Sequence, residues 1–177
     1  IVTGGSKGIG YGICEQLIKE SAIPVIVGRD RKSILQAVKK IEETGGNVGF
    51  AFAELTDPKD CKKAVEQIIS EYGLIDGLVN NAGVNDGVSL SKGDFESFTK
   101  SIHSNLTHYF MMAHYSLPAL KKSKGSIVNI GSKTSFTGQG GTSAYAAANG
   151  GRNALTREWA VALLPFSIRV NSIIVAE

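Results

Sequence analysis

The sequence has 177 residues, 42% of them apolar and 20% charged, a balance that suits one globular domain with its own core and argues against disorder. A formal charge of +3 without a dense Lys/Arg block gives no basis for a nucleic-acid partner, and no apolar run is long enough to span a bilayer. Cys14 and Cys61 form no CxxC pair and fall in helical patterns, as structural thiols of a reduced, cytoplasmic compartment would.

The chain opens on Ile1-Val2-Thr3-Gly4, a strand already about to turn, and closes in the apolar run Ile173-Ile174-Val175-Ala176-Glu177. Both edges read as cut, so the expectation is a single domain over 1–177 truncated at both ends. Thr3-Gly4-Gly5-Ser6-Lys7-Gly8-Ile9-Gly10 lies between a strand and a helix. Glycines there let backbone approach a ligand closely, and a helix N-terminus offers N–H groups and a positive dipole end to a pyrophosphate.

Ile23 to Val27 is a continuous β-branched run of the kind buried in a parallel sheet. Ile34, Val38 and Ile41 mark a second helix ended by Gly45-Gly46. Val48 to Ala53 is the third strand, and Asp57-Pro58 is a cap followed by Pro at the first helical position. Ile75 to Val79 is a fourth strand, running into Asn80-Asn81-Ala82-Gly83. Two helical stretches between Asp94 and Lys121 meet near Ile102. Ser126 to Ile130 is the fifth strand, Thr142 to Leu164 a long helix, and Ser167 to Val175 the sixth strand. Strand–helix alternation from end to end predicts an α/β, Rossmann-like, doubly wound parallel sheet with right-handed crossovers.

In order and spacing, Thr3 to Gly10, Asn80-Asn81-Ala82-Gly83, Asn105, Ser132 and Tyr145 resemble the short-chain dehydrogenase/reductase family over essentially the whole chain. More narrowly, Gly83 to Gly87, Thr137 to Gly140 and Leu155 to Val161 are similar to sugar dehydrogenases of the L-fucose dehydrogenase kind. The resemblance implies hydride transfer between a nicotinamide cofactor and an alcohol or carbonyl carbon. It also implies a homodimer or homotetramer, and a C-terminal lid and seventh strand that this sequence lacks. The family's catalytic Asn, Ser and Tyr map onto Asn105, Ser132 and Tyr145. Tyr145 would exchange the proton, Ser132 would bond the substrate oxygen, and Asn105 would hold a helix kink and a relay water. The family's Lys maps onto Asn149, which is uncharged.

A lysine there would bind the nicotinamide ribose and lower the tyrosine pKa. Unit charges about 4–5 Å apart at an effective ε near 20 interact by roughly 3–4 kcal/mol, on the order of two pK units. Asn149 could still bond a ribose but supplies no field. Arg152 shares roughly that helix face but lies about 10 Å along the axis from Tyr145, and reads as a solvated or interface residue. Lys133 would point away from Ser132 if the strand persists.

Cofactor contacts are expected from Gly4, Ser6, Lys7, Gly8, Ile9, Gly10, Arg29, Glu54, Asn81, Ala82 and Gly83, with Tyr145 and Asn149. Arg29 and Lys7 favour NADP, while Asp30 in a register shifted by one would favour NAD. Asn85, Asp86 and Gln139 either hydrogen-bond a sugar or small polyol, together with Ser132 and Tyr145, or satisfy their own loops. His103, His108 and His114 lack a carboxylate or cysteine set at ligand spacing, so no metal is expected. The helix around Tyr109, Met111, Met112, Tyr115 and Leu117 and the one around Leu155 and Trp159 are apolar on several sides, as interface helices would be.

The leading reading is an NADP- or NAD-dependent oxidoreductase impaired at Asn149. The alternative is a non-catalytic dinucleotide-binding pseudoenzyme or regulatory subunit, and a fragment or a lesion at one codon is a third. On the sequence alone, activity far below that of an Asn149→Lys variant is expected, with turnover of the two proteins at neutral pH as the check.

Overall fold

Strand–helix alternation becomes one parallel sheet in the computed structural model, which describes residues 1–176. The strands are β1 (Val2–Thr3), β2 (Val25–Gly28), β3 (Gly49–Phe52), β4 (Gly77–Asn80), β5 (Ser126–Ser132) and β6 (Arg169–Val175). They lie in the order β3-β2-β1-β4-β5-β6, and every pairing is parallel. The helices are α1 (Gly8–Lys19), α2 (Arg31–Glu43), α3 (Pro58–Tyr72), α4 (Phe95–Ile102), α5 (His108–Ser123), α6 (Thr134–Thr137) and α7 (Ser143–Ala162). This is the doubly wound Rossmann-like order.

Alternation along the strands sends side chains to opposite faces. Val2 and Ile26 join Cys14 of α1 and Ile34, Val38 and Ile41 of α2 in one core. Val25, Val27, Leu78, Ile127 and Val170 face the other way, onto Cys61, Val65 and Ile68 of α3, Met112 and Leu120 of α5, and Trp159 of α7. Both cysteines are buried, and burial pushes their thiols up to about 12 and about 11, which suits inert packing groups.

Local signals hold where they have a mechanism. Asp57 accepts from Lys59 N at 2.8 Å ahead of Pro58, and α3 ends on left-handed Gly73. Asp94 and Ser97 form a capping box at α4. Between α4 and α5 lies a π-helical segment, His103–Thr107, where the sequence only suggested a junction. The short α6 was not expected. Lys133 already has helical backbone, φ −55° and ψ −24°, so strand alternation stops at Ser132. The helix α7 stops at Ala162, two residues short of the expected Leu164, which opens a separate 3-10 turn, Leu164–Phe166.

A buried polar ladder crosses the sheet beside the second core. Asn80 and Asn129 are register partners on β4 and β5, and Asn80 Nδ2 donates to Asn129 Oδ1 at 3.1 Å. Asn129 Nδ2 donates to Thr156 Oγ1 of α7 at 2.9 Å, and that hydroxyl donates to the Arg152 carbonyl at 2.8 Å. Removing the middle member would cost two buried hydrogen bonds at once. Asn129→Ala should lower unfolding stability by about 2–3 kcal/mol, read from urea melts.

Candidate active site

A cleft of about 830 Å³ opens at the carboxyl ends of the strands, where the strand order reverses between β1 and β4. Topology alone makes this the ligand crevice of an open α/β sheet. Gly4, Ser6, Lys7, Ile9 and Gly10 line one wall. Gly4 has φ +65°, and a Cβ on Gly10 would sit 2.4 Å from the Gly4 carbonyl oxygen, so no side chain fits there. Lys7 occupies the N-cap of α1 without a side-chain cap bond, which leaves the first N–H groups of the helix to a ligand. These features fit the diphosphate of a dinucleotide. Gly8 starts α1 but is not on the cleft wall.

Asn81, Ala82 and Gly83 line the floor. Asn81 Nδ2 donates to the Thr3 carbonyl at 2.9 Å, and Thr3 Oγ1 accepts the N–H groups of Asn81 and Ala82 at 2.9 and 3.1 Å. Asn81 therefore ties the glycine loop to the end of β4.

At the outer end of the cleft the Arg29 side chain is 77% exposed and pairs with Glu54 at 2.9 Å. Burial would raise the Glu54 carboxyl, but hydrogen bonds from Arg29 and Thr56 outweigh it and hold the group below its usual value. Asp30 is the N-cap of α2. Its two oxygens take Ser33 N at 3.1 Å and Ser33 Oγ at 2.6 Å, and those bonds lower its pKa. The carboxylate that would have argued for NAD is engaged in capping.

Ser132, Gln139 and Tyr145 line the same cleft. Ser132 Oγ accepts from Thr134 N at 3.3 Å and Thr134 Oγ1 at 3.1 Å. Lys133 also lines the cleft, contrary to the expectation, because its backbone has left the strand. Asn85 and Asp86 do not reach the wall. Asn85 Oδ1 faces Gly87 N at 3.4 Å, and Asp86 takes Ser101 Oγ at 2.9 Å, so both satisfy local structure.

Asn149 is fully buried and is not on the cleft wall. Its Nδ2 donates back to the Tyr145 carbonyl at 2.9 Å, and its Oδ1 accepts from Arg152 Nη1 at 3.0 Å. The ribose contact expected of it is corrected: both ends of the amide already have partners. Arg152 is corrected as well, being only 3% exposed and part of the cleft lining. Its Nε donates to the Asn105 carbonyl at 2.7 Å and its Nη1 to the Ile130 carbonyl at 3.1 Å, and its guanidinium lies 4.3 Å from the Tyr109 ring centroid. The missed signal is side-chain direction. Helical side chains lean toward the N-terminus, so a long arginine reaches back to the Asn149 amide a turn earlier.

Asn105 sits within the π segment, buried, as the kink residue expected. Its Oδ1 accepts Val84 N at 2.8 Å and its Nδ2 donates to the Ser101 carbonyl at 3.1 Å. Its carbonyl accepts from Arg152 Nε. His108 was also missed as a wall residue. It is 1% exposed, with Nε2 3.1 Å from the Ser104 carbonyl and Nδ1 without a partner. Among the described residues no cluster of His, Cys, Asp or Glu could hold a metal, and no helix is long and apolar enough to cross a membrane.

A family sequence profile described as short chain dehydrogenase matches residues 1–176. The chain belongs to this family. It is 37% identical to a 12alpha-hydroxysteroid dehydrogenase of Clostridium sp. over 173 residues, covering 90% of this chain and 66% of the relative. Cyclopentanol dehydrogenase of Comamonas testosteroni is 32% identical over 174 residues, covering 98% of this chain and 70% of that protein. The crystal structure of Cj0485 dehydrogenase superposes with a TM-score of 0.90 at 42% identity, over 97% of this chain and 65% of that one. The chain spans about two thirds of the length of the curated relatives it matches. A nicotinamide dinucleotide, the cofactor of short-chain dehydrogenases, is of the class that the glycine cradle and the α1 N-terminus fit.

Burial, and after it the Arg152 charge, push His108 down to about 4. An unfolded histidine titrates near 6.5. Between these values the unfolded chain binds a proton that the native one refuses, so stability is present above pH 6.5 and falls as pH drops toward 4. At pH 5 the histidine should cost on the order of 2 kcal/mol. Urea melts at pH 7 and pH 5 should show that loss in the wild type and a smaller one in His108→Gln.

Proposed function

We propose that this protein is an oxidoreductase moving hydride between NADP(H) and an alcohol or carbonyl carbon, with a sugar or small polyol as substrate. The observation that carries this reading is one cleft lined by Ser132 and Tyr145 at one end and by the glycine loop at the other. A bound dinucleotide supplies the hydride or accepts it. The chain's own residues would hold the diphosphate on Gly4 to Gly10 and the α1 N-terminus. They would orient the substrate oxygen on Ser132 and exchange its proton at the Tyr145 hydroxyl.

The preference for NADP rests on Arg29, exposed at the end of β2, and on Asp30 being engaged as a cap. Glu54 is the adenine-side contact, and it holds Arg29 in place until a phosphate competes for the guanidinium. NAD remains the weaker ligand. The sugar or polyol reading rests on Gln139 lining the same cleft as Ser132 and Tyr145, and on the resemblance to L-fucose dehydrogenases. The named relatives act on alcohols of other shapes, a hydroxysteroid and cyclopentanol. A homodimer or homotetramer is proposed from the outward apolar residues Phe110 on α5 and Val161 on α7, 48% and 74% exposed, and a cytoplasmic location from the two free, buried thiols.

Tyr145→Phe should lose about 10²-fold or more in turnover in both directions, with NADPH affinity kept. Fluorescence titration should give tighter binding of NADPH than NADH, and Arg29→Ala should weaken NADPH alone. A panel of aldoses and polyols run with both cofactors checks the substrate class. Undiminished turnover by the phenylalanine variant would remove the proton-transfer role.

A further inference from the structure

Arg152 is a buried cation with no carboxylate among the partners found for it. Three neutral oxygens hold it within 3.1 Å, the carbonyls of Asn105 and Ile130 and the Asn149 amide, and the Tyr109 face lies alongside. Asn105 Oδ1 stands farther off, at 3.5 Å. The salt bridges among the described residues involve other side chains. A desolvated charge without a counter-charge is costly, and arginine does not escape by losing its proton. The structure keeps this one at the wall that also carries Tyr145. Gly83 leaves room for it, since a Cβ there would lie 2.8 Å from Arg152 Nη2.

We infer that Arg152 is the positioning cation for proton transfer at Tyr145, and that Asn149 is its anchor. The inference rests on the reading of Tyr145 as the proton-transfer residue. In the oxidative direction the substrate hydroxyl gives its proton to the Tyr145 oxygen while its carbon gives hydride to the oxidised dinucleotide. A nearby guanidinium favours the deprotonated tyrosine that accepts. Tyr145 and Arg152 interact electrostatically, and burial is what pulls the arginine below its ordinary value. A carboxamide at 149 suits this arrangement. Its oxygen fixes the guanidinium, and its nitrogen ties to the Tyr145 carbonyl one turn earlier. A lysine at 149 would remove that acceptor and set a like charge beside Arg152.

The other titratable or charged groups near the pair are His108 and Tyr109 from α5, Lys133 at the start of α6, and Glu54 across the cleft. Burial holds His108 neutral near pH 7 and pushes Tyr109 up to about 12. Neither titrates where the tyrosine would work.

The test has two readouts. In the protein without cofactor, absorbance at the tyrosinate band is titrated with pH, and Tyr145→Phe isolates the Tyr145 contribution. Arg152→Met should move that titration up by about one unit or more, and Arg152→Lys by less. In turnover, the acid limb of kcat/KM for oxidation should shift with it, for a loss of about tenfold or more at pH 7, while NADPH affinity stays within about threefold. Against the expectation from the sequence alone, Asn149→Lys should not gain activity and should melt lower, because Asn149 anchors Arg152. Asn149→Lys combined with Arg152→Leu should recover what Arg152→Leu alone loses.

An unmoved tyrosine titration in a folded Arg152→Met protein would overturn the inference, and so would a gain in turnover from Asn149→Lys with Arg152 in place. A shift produced by Lys133→Met instead would transfer the role to Lys133 and equally overturn it. Full turnover by Tyr145→Phe would defeat the functional reading itself, whereas these outcomes defeat only the assignment of Arg152.

Discussion

A guanidinium held inside the protein by neutral oxygens joins the parts of the catalytic wall. Arg152 reaches from α7 to the π segment through the Asn105 carbonyl and to β5 through the Ile130 carbonyl. Tyr109 of α5 packs on its face and donates its own hydroxyl to the same Ile130 carbonyl at 2.9 Å. Helix, strand and π segment are thus tied at one point. The tie is expensive in desolvation, so its geometry must be well satisfied to persist. The Asn80–Asn129–Thr156 ladder ends on the Arg152 carbonyl, so one residue closes two networks, through its side chain and its backbone.

The dinucleotide end rests on different physics. There the chain gets close to a ligand by omission, with no side chain at Gly4 or Gly10 and no cap on α1. Thr3 and Asn81 hold that open loop in place by bonding the ends of adjacent strands. Arg29 and Glu54 form a surface pair, of the sort worth little on its own. Its effect lies in presenting a cation whose partner can be exchanged.

Much of this was legible in the sequence, and for definable reasons. The parallel α/β sheet followed from strand–helix alternation, and the cap at Asp57 has side-chain chemistry that acts within a few residues. Ser132 and Tyr145 line one cleft, as the family resemblance implied, the first at a strand end and the second at a helix start. The departures all involve reach or backbone state. Lys133 faces the cleft because one residue adopts helical dihedrals, which no alternation rule can see. Arg152 lies seven residues from Tyr145, and an axial distance says nothing of a long side chain that leans back along its helix. Asp86 and Asn85 looked like ligand contacts because polar loop residues look alike until their local bonds are known.

The π segment at His103–Thr107 carries a consequence for how this region can vary. A π turn amounts to one surplus residue wound into a helix, and it frees a carbonyl from the regular ladder. Two carbonyls of this stretch meet side chains, Ser104 at the His108 ring and Asn105 at Arg152. Removing one residue from the segment would restore an ordinary helix, and because the surplus residue is taken up by local widening, α4 and α5 would keep nearly their present phase. What such a deletion would take away is the carbonyls free for side chains, because an ordinary helix returns them to its own ladder. The winding number of the helix is itself a determinant of the site, independent of which side chains it bears.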